Sequence, residues 1–271
     1  MKHLVKGLTL LGASVALVSS SFSAATAAPD TTLEGASASP YIIGGSQAQS
    51  PWAVQLKFRS QGQAGTFACT GEQINSQWVL TAKHCIDGAY GMQVYKSNSQ
   101  INPGTPISVD RMVAAPQGDI ALVRLSQQSP LASYPQLDLN YKPRYGDTGT
   151  IMGYGLGANS QPTTTLRSAA VRVDGNSYDA YYGSAVHVSG VTGAANHGDS
   201  GGPLLINGKI VAVCSTGDQA DPGANINAGS NYALLSQVSS WITSTAGLNS
   251  GPVVEPAQDV DSTQELIPAA A

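Results

Sequence analysis

An all-β fold is predicted by three features of the 271-residue sequence. Short runs of Val, Ile, Leu and Tyr recur between clusters of Gly, Pro, Asn and Ser, the pattern of strands joined by turns. Long amphipathic helical patterns are absent until the end of the chain. The body of about 200 residues is long enough to bury a substantial core.

Residues Met1 to Ala27 carry Lys2, His3 and Lys6, an apolar run from Gly7 to Val18, and small residues ending in Ala25-Thr26-Ala27. This is the pattern of a secretory signal peptide, and the run is too short to span a bilayer. A secreted, extracellular product without a membrane partner is expected. Residues 28–41 are rich in Ala, Ser, Thr and Pro, cannot form a core, and are read as a propeptide. Residues 42–245 are the folded body. Within it, Asn75 to Ala82 reads as a polar turn entering a half-buried strand, and Asp119 opens a buried strand through Leu125. Ile210 to Cys214 is another buried strand. Leu234, Leu235, Val238, Trp241 and Ile242 have helical spacing, so Ala233 to Thr243 reads as one terminal helix. Residues 246–271 form an acidic tail in which no packed structure is expected.

The chain has 17 acidic and 13 basic residues. Two of the acids lie in 28–41 and four in the tail, and two lysines lie in 1–27, which leaves a body of zero net charge. A nucleic-acid partner would call for a basic patch, and none is visible. Polarity comes from Ser, Thr, Asn, Gln and Gly, since only 11% of residues are charged, which is compatible with a secreted bacterial enzyme.

The chemistry is concentrated in Gly198-Asp199-Ser200-Gly201-Gly202-Pro203. A serine in such a turn is a candidate nucleophile, and the backbone N–H groups around it can point at an oxyanion. A hydroxyl is a weak nucleophile unless a neighbouring base takes its proton. Thr81-Ala82-Lys83-His84-Cys85 supplies His84 at the end of a strand. A neutral imidazole needs a third group to hold its tautomer, and Asp119, a carboxylate at a buried strand edge, needs a partner in turn. Taken singly, a Gly-rich turn is also a common connector, and His84 beside a cysteine is also a structural histidine.

Together these motifs resemble the trypsin-like, chymotrypsin-fold serine peptidases, with His84, Asp119 and Ser200 in that family's order. The resemblance runs from Ile42-Ile43-Gly44-Gly45 to about Trp241-Ile242. It implies two six-stranded antiparallel β-barrels packed together with a C-terminal α-helix, over a peptidase domain spanning 42–245. It implies a disulfide between Cys69 and Cys85, worth roughly 3 kcal/mol on the loop-entropy model. It implies an oxyanion hole from the Gly198 and Ser200 N–H groups. It also implies a zymogen, in which cleavage before Ile42 frees an amino group to pair with Asp199. Tyr41 stands at that cut where many relatives have Arg or Lys, so a trypsin is a poor activator. An enzyme accepting aromatic residues, or this protein itself, fits better.

The same resemblance places the specificity-pocket floor at Ala194, where trypsins carry Asp, and the pocket wall at Ser215-Thr216-Gly217, usually Ser-Trp-Gly. Without a countercharge, burial of a substrate Lys or Arg is unfavourable, so an apolar or aromatic side chain is expected before the scissile bond. Ser215 matches the family serine that hydrogen-bonds the catalytic carboxylate. Asn196 stands where a family cysteine is expected, which implies a looser loop. Lys83 replaces a small residue and is expected to pack its stem with the amine in solvent. His197 matches a pocket-rim position, and His187 reads as an exposed strand residue. Cys214 reads as an inert core thiol. Cys69, His84 and Cys85 lack the usual metal-ligand spacings, and no metal or cofactor is implied. Implied partners are protein or peptide substrates and protein protease inhibitors, and a monomer is expected. A catalytically silent binding protein on the same fold and an esterase using the same triad are the competing readings.

Overall fold

The computed structural model describes residues 42–248. The readings for 1–27 and 28–41, and for the tail from 249 onward, lie outside these residues. Two short strands come first, β1 (Ile43–Gly44) and β2 (Ser46–Gln47). A closed barrel follows, built from β3 (Ala53–Ser60), β4 (Phe67–Gln73), β5 (Trp78–Thr81), β6 (Ala89–Tyr95), β7 (Ile107–Ala114) and β8 (Ala121–Leu125). Its strands are all antiparallel in the order β3-β4-β5-β8-β7-β6.

The second barrel uses β9 (Thr148–Gly153), β10 (Arg167–Tyr178), β11 (Ser184–Gly190), then, after the two-residue β12 (Gly193–Ala194), β13 (Pro203–Ile206), β14 (Lys209–Gly217) and β15 (Gly229–Leu234). Its order is β11-β15-β14-β13-β9-β10, and pairing of β10 with β11 closes the ring. The predicted two-barrel architecture with a terminal helix is thus present.

The core explains why the strand signal is only partly alternating. Val54, Leu56, Val79, Val94, Val123 and Leu125 fill the first barrel, as expected for inward positions two residues apart. Leu80 and Leu122 point the other way and are equally buried, because they meet Ile210 and Val213 of the second barrel and Ile242 of the helix. Strands covered on both faces read as continuous apolar runs.

The end of the chain differs from the sequence expectation. Ala233 and Leu234 belong to β15, pairing with Val213 and Ala212 of β14. A 3-10 turn, Leu235–Val238, follows, and only then helix α1 (Ser239–Ala246). Ladder hydrogen bonds to two neighbouring strands outweigh the local helical spacing. Gly247 ends α1 in the left-handed conformation, its N–H donating to Thr243 O.

Candidate active site

The turn carrying Ser200 is shaped by glycines that no other residue could replace. Gly198 (φ 91°) and Gly201 (φ 76°) adopt backbone that side chains avoid, and a Cβ on Gly201 would lie 2.1 Å from Thr81 Oγ1. Asp199 N–H donates to Asn196 O, Gly202 N–H to Asp199 O and Gly201 N–H to Cys214 O. Thr70 of β4 reaches across from the first barrel: its N–H donates to Ser200 O and its hydroxyl to Gly198 O. The Gly198 and Ser200 N–H groups donate to no protein acceptor among the described residues. Those are the two donors expected for the oxyanion.

His84 sits in a 3-10 turn, Lys83–Cys85, directly after β5. Asn75 begins that strand by accepting the Gln77 and Trp78 N–H groups on its side chain. His84 Nδ1 lies 2.7 Å from Asp119 Oδ2, and the His84 backbone N–H donates to Asp119 Oδ1 at 2.8 Å. Asp119 is 0% exposed. Its carboxylate is therefore acceptable only because donors surround it. Ser215 Oγ adds a third at 2.6 Å. The register of β14 on β15 shifts between Cys214 and Thr216, so Ser215 is the extra residue of a bulge, which frees its side chain to turn toward Asp119. Behind the carboxylate, Asp179 Oδ2 accepts the Asp119 N–H at 3.0 Å, a contact the sequence did not reveal.

Asp199 is buried, and its carboxylate accepts the Gly155 N–H at 2.8 Å and the Asn196 N–H at 2.9 Å. Among the described residues no cationic side chain pairs with it. Burial pushes its pKa up to about 7 against the opposing pull of these two bonds. Ile42 is 1% exposed in the second-barrel core beside Ala195, with φ of 32°. Positive φ on a β-branched residue is a strained arrangement.

Two cavities meet at His84 and Ser200. One, of about 460 Å³, is lined by Ala195, Cys214, Ser215, Thr216 and Gly217 among others, and no acidic side chain lines it. Ala194, expected at its floor, is buried in β12 and paired with Ile43, and its neighbour Ala195 lines the cavity. The other, of about 730 Å³, lies against Phe58, Phe67, Tyr154 and Leu156. His197 lines the first cavity, with Nε2 2.7 Å from Ala220 O.

Several departures from the family pattern find physical answers. Asn196, in place of a cysteine, braces its loop by donating Nδ2 to Gly157 O at 2.9 Å. The Lys83 ammonium sits 4.0 Å over the Tyr181 ring. Cys214 is a free, buried thiol, and burial pushes its pKa far up, so it stays protonated. Cys69 and Cys85 form a disulfide. Those two residues cluster with His84, but their sulfurs are bonded to each other and His84 Nδ1 is engaged by Asp119.

Residues 42–242 match the family model described as Trypsin. Chymotrypsin-like elastase family member 1 of Felis catus is 30% identical, covering 77% of this chain and 90% of its own length. An uncharacterized peptidase of Corynebacterium glutamicum is 30% identical, covering 76% of this chain and 74% of its own. Among solved structures, neuropsin, a serine protease expressed in mouse brain, superposes with a TM-score of 0.60 at 27% identity, covering 74% of this chain and 98% of that one. With two closed six-stranded barrels and this extent of matching sequence, the chain belongs to the trypsin family of chymotrypsin-fold serine endopeptidases.

Proposed function

We propose that this peptidase is secreted as a zymogen and cleaves after apolar or aromatic residues through Ser200, His84 and Asp119. The observation that carries the triad is the 2.7 Å contact between His84 Nδ1 and buried Asp119, on the same cavities as Ser200 and its unpaired N–H groups. Ser200 Oγ attacks the peptide carbonyl carbon as His84 Nε2 takes its proton. The Gly198 and Ser200 N–H groups receive the oxyanion. His84 then returns the proton to the departing amine, and water, deprotonated by His84, hydrolyses the acyl-enzyme. Asp119 holds the His84 tautomer and stabilises the imidazolium throughout. His84 must be neutral to act as the base.

The absence of an acidic lining residue supports an apolar or aromatic specificity, since a buried substrate cation would find no countercharge. Support for activation before Ile42 comes from Asp199, a buried carboxylate awaiting a cation, and from the strained backbone of Ile42. The pattern of residues 1–27 supports secretion, and no helix among the described residues is long and apolar enough to cross a membrane.

One labelling experiment tests the core of this reading. An active-site serine phosphonate should label the chain only after residues before Ile42 are removed, and Ser200→Ala should abolish labelling. No labelling of either form would sink the proposal in favour of a silent binding protein. Peptide and ester substrates of matched side chain separate a peptidase from an esterase. Faster cleavage after Arg or Lys than after Phe, Tyr or Leu would overturn the specificity.

A further inference from the structure

We infer that Asp179 is a positioning residue for the triad: it fixes the backbone of Asp119 and organises the turn that aims Ser215 at the same carboxylate. The inference rests on the triad reading above.

Asp179 lies in the hairpin between β10 and β11 and is 5% exposed. Its two oxygens do different things. Oδ1 builds the hairpin itself, accepting the N–H groups of Tyr181 and Gly183, each at 2.9 Å. Oδ2 accepts the Asp119 N–H at 3.0 Å and the Gln237 Nε2 at 3.4 Å. A turn needs only the first oxygen, and the second is committed to the residue that orients the base.

The packing is too close to be incidental. A Cβ on Gly118, the residue before Asp119, would lie 2.8 Å from Asp179 Oδ2, and a Cβ on Gly183 would lie 2.5 Å from Gly118 Cα. The two backbones touch because both residues lack side chains.

The same turn makes two further links to the triad. Ala180 N–H donates to Ser215 Oγ at 3.0 Å, so the hydroxyl, with one proton to give, directs it to Asp119 Oδ2. Tyr181 lies under the Lys83 ammonium and bonds through its hydroxyl to Asp87, tying the turn to the 3-10 segment that carries His84. One turn thus contacts the Asp119 backbone, the serine that donates to its carboxylate, and the neighbour of His84.

The test is the isosteric variant Asp179→Asn, which keeps one acceptor for the hairpin and sets an N–H against the Asp119 N–H. The expected result is a kcat lower by about 10- to 100-fold with little change in KM, as for a misplacement of about 1 Å in a reacting group. The low-field proton resonance of the His84–Asp119 hydrogen bond should shift, and the acid limb of the kcat profile should move with it. Gln237→Ala, which withdraws one donor from Asp179 Oδ2, should give a smaller loss in kcat. It decides the matter if Asp179→Asn does not fold. Wild-type kcat, resonance and pH profile in the folded variants would overturn the inference, as would a loss confined to thermal stability or KM. Ser200→Ala separates the two levels: if it remains active, the triad reading has failed, and if it is inactive beside a fully active Asp179→Asn, only this inference has.

Discussion

The Thr70 hydroxyl donates to the Gly198 carbonyl at 2.9 Å, so a strand of the first barrel sets the peptide plane of the nucleophile turn in the second. The same oxygen accepts the Tyr154 N–H at 3.0 Å. Thr70→Val keeps the shape, removes both bonds and leaves Tyr154 with a buried unpaired donor. A stability loss of about 1–3 kcal/mol should follow in urea unfolding. If the Gly198 N–H serves the oxyanion, kcat should fall about tenfold or more as the turn that carries it relaxes. Thr70→Ser, which keeps the hydroxyl, should retain most of both.

Glu72 is fully buried on β4, and neither carboxyl oxygen has a hydrogen-bond partner among the described residues. Ala53 and Leu80 are its cross-strand neighbours. Desolvation pushes its pKa well above the ordinary carboxylate range. The folded state therefore holds a proton that the unfolded chain releases. The associated stability is full below the unfolded-state pKa of about 4.3 and is lost as pH rises toward the raised folded value. Glu72→Gln cannot ionise, so it should match the wild type near pH 4 and become increasingly the more stable form toward pH 8. Urea midpoints across that range check the sign. A gap that did not grow with pH would mean that Glu72 is not held neutral.

How much of this was legible in the sequence depended on whether the partners were local. Ser200 and its glycines lie within six consecutive residues, and the need for positive φ at Gly198 and Gly201 is a local property. Asp119 stood out because a charge opens an apolar run. Asp179 did not, because the groups that give it meaning, Asp119 and Gln237, lie 60 and 58 residues away. Glu72 was hidden for a different reason: in Phe67–Gln73 nothing local tells that both faces of the strand are covered. The terminal helix was misplaced because Ala233 and Leu234 have helical spacing and strand partners at once.

Asp199 gives the unprocessed chain a pH dependence that activation should erase. Its pKa, raised to about 7 by burial, means that stability is full below the unfolded carboxylate value of about 3.9 and is lost as pH rises through about 7. An ammonium on Ile42, freed by cleavage, would favour the ionised carboxylate and lower that pKa. The precursor should therefore lose a few kcal/mol between pH 5 and pH 8, and the processed chain should lose much less. Parallel urea titrations of the two forms measure the difference. Equal losses would mean that the new amino terminus does not reach Asp199.

His187 is held between two carboxylates, with Nδ1 3.0 Å from Asp174 Oδ2 and Nε2 2.9 Å from Asp218 Oδ2. It is a linked strand residue with 26% of its side chain exposed, not a free one. Asp218 directly follows Gly217, in the wall of the 460 Å³ cavity, so the bridge ties that wall to β11. His187→Ala should let the wall relax, raising KM several-fold for substrates that fill the cavity while leaving kcat nearly unchanged, the pattern of lost uniform binding. Asp218→Asn should act in the same direction, and the double variant should add little, because both remove one bridge. Ordinary additivity in that cycle would show that His187 and Asp218 influence the cavity separately.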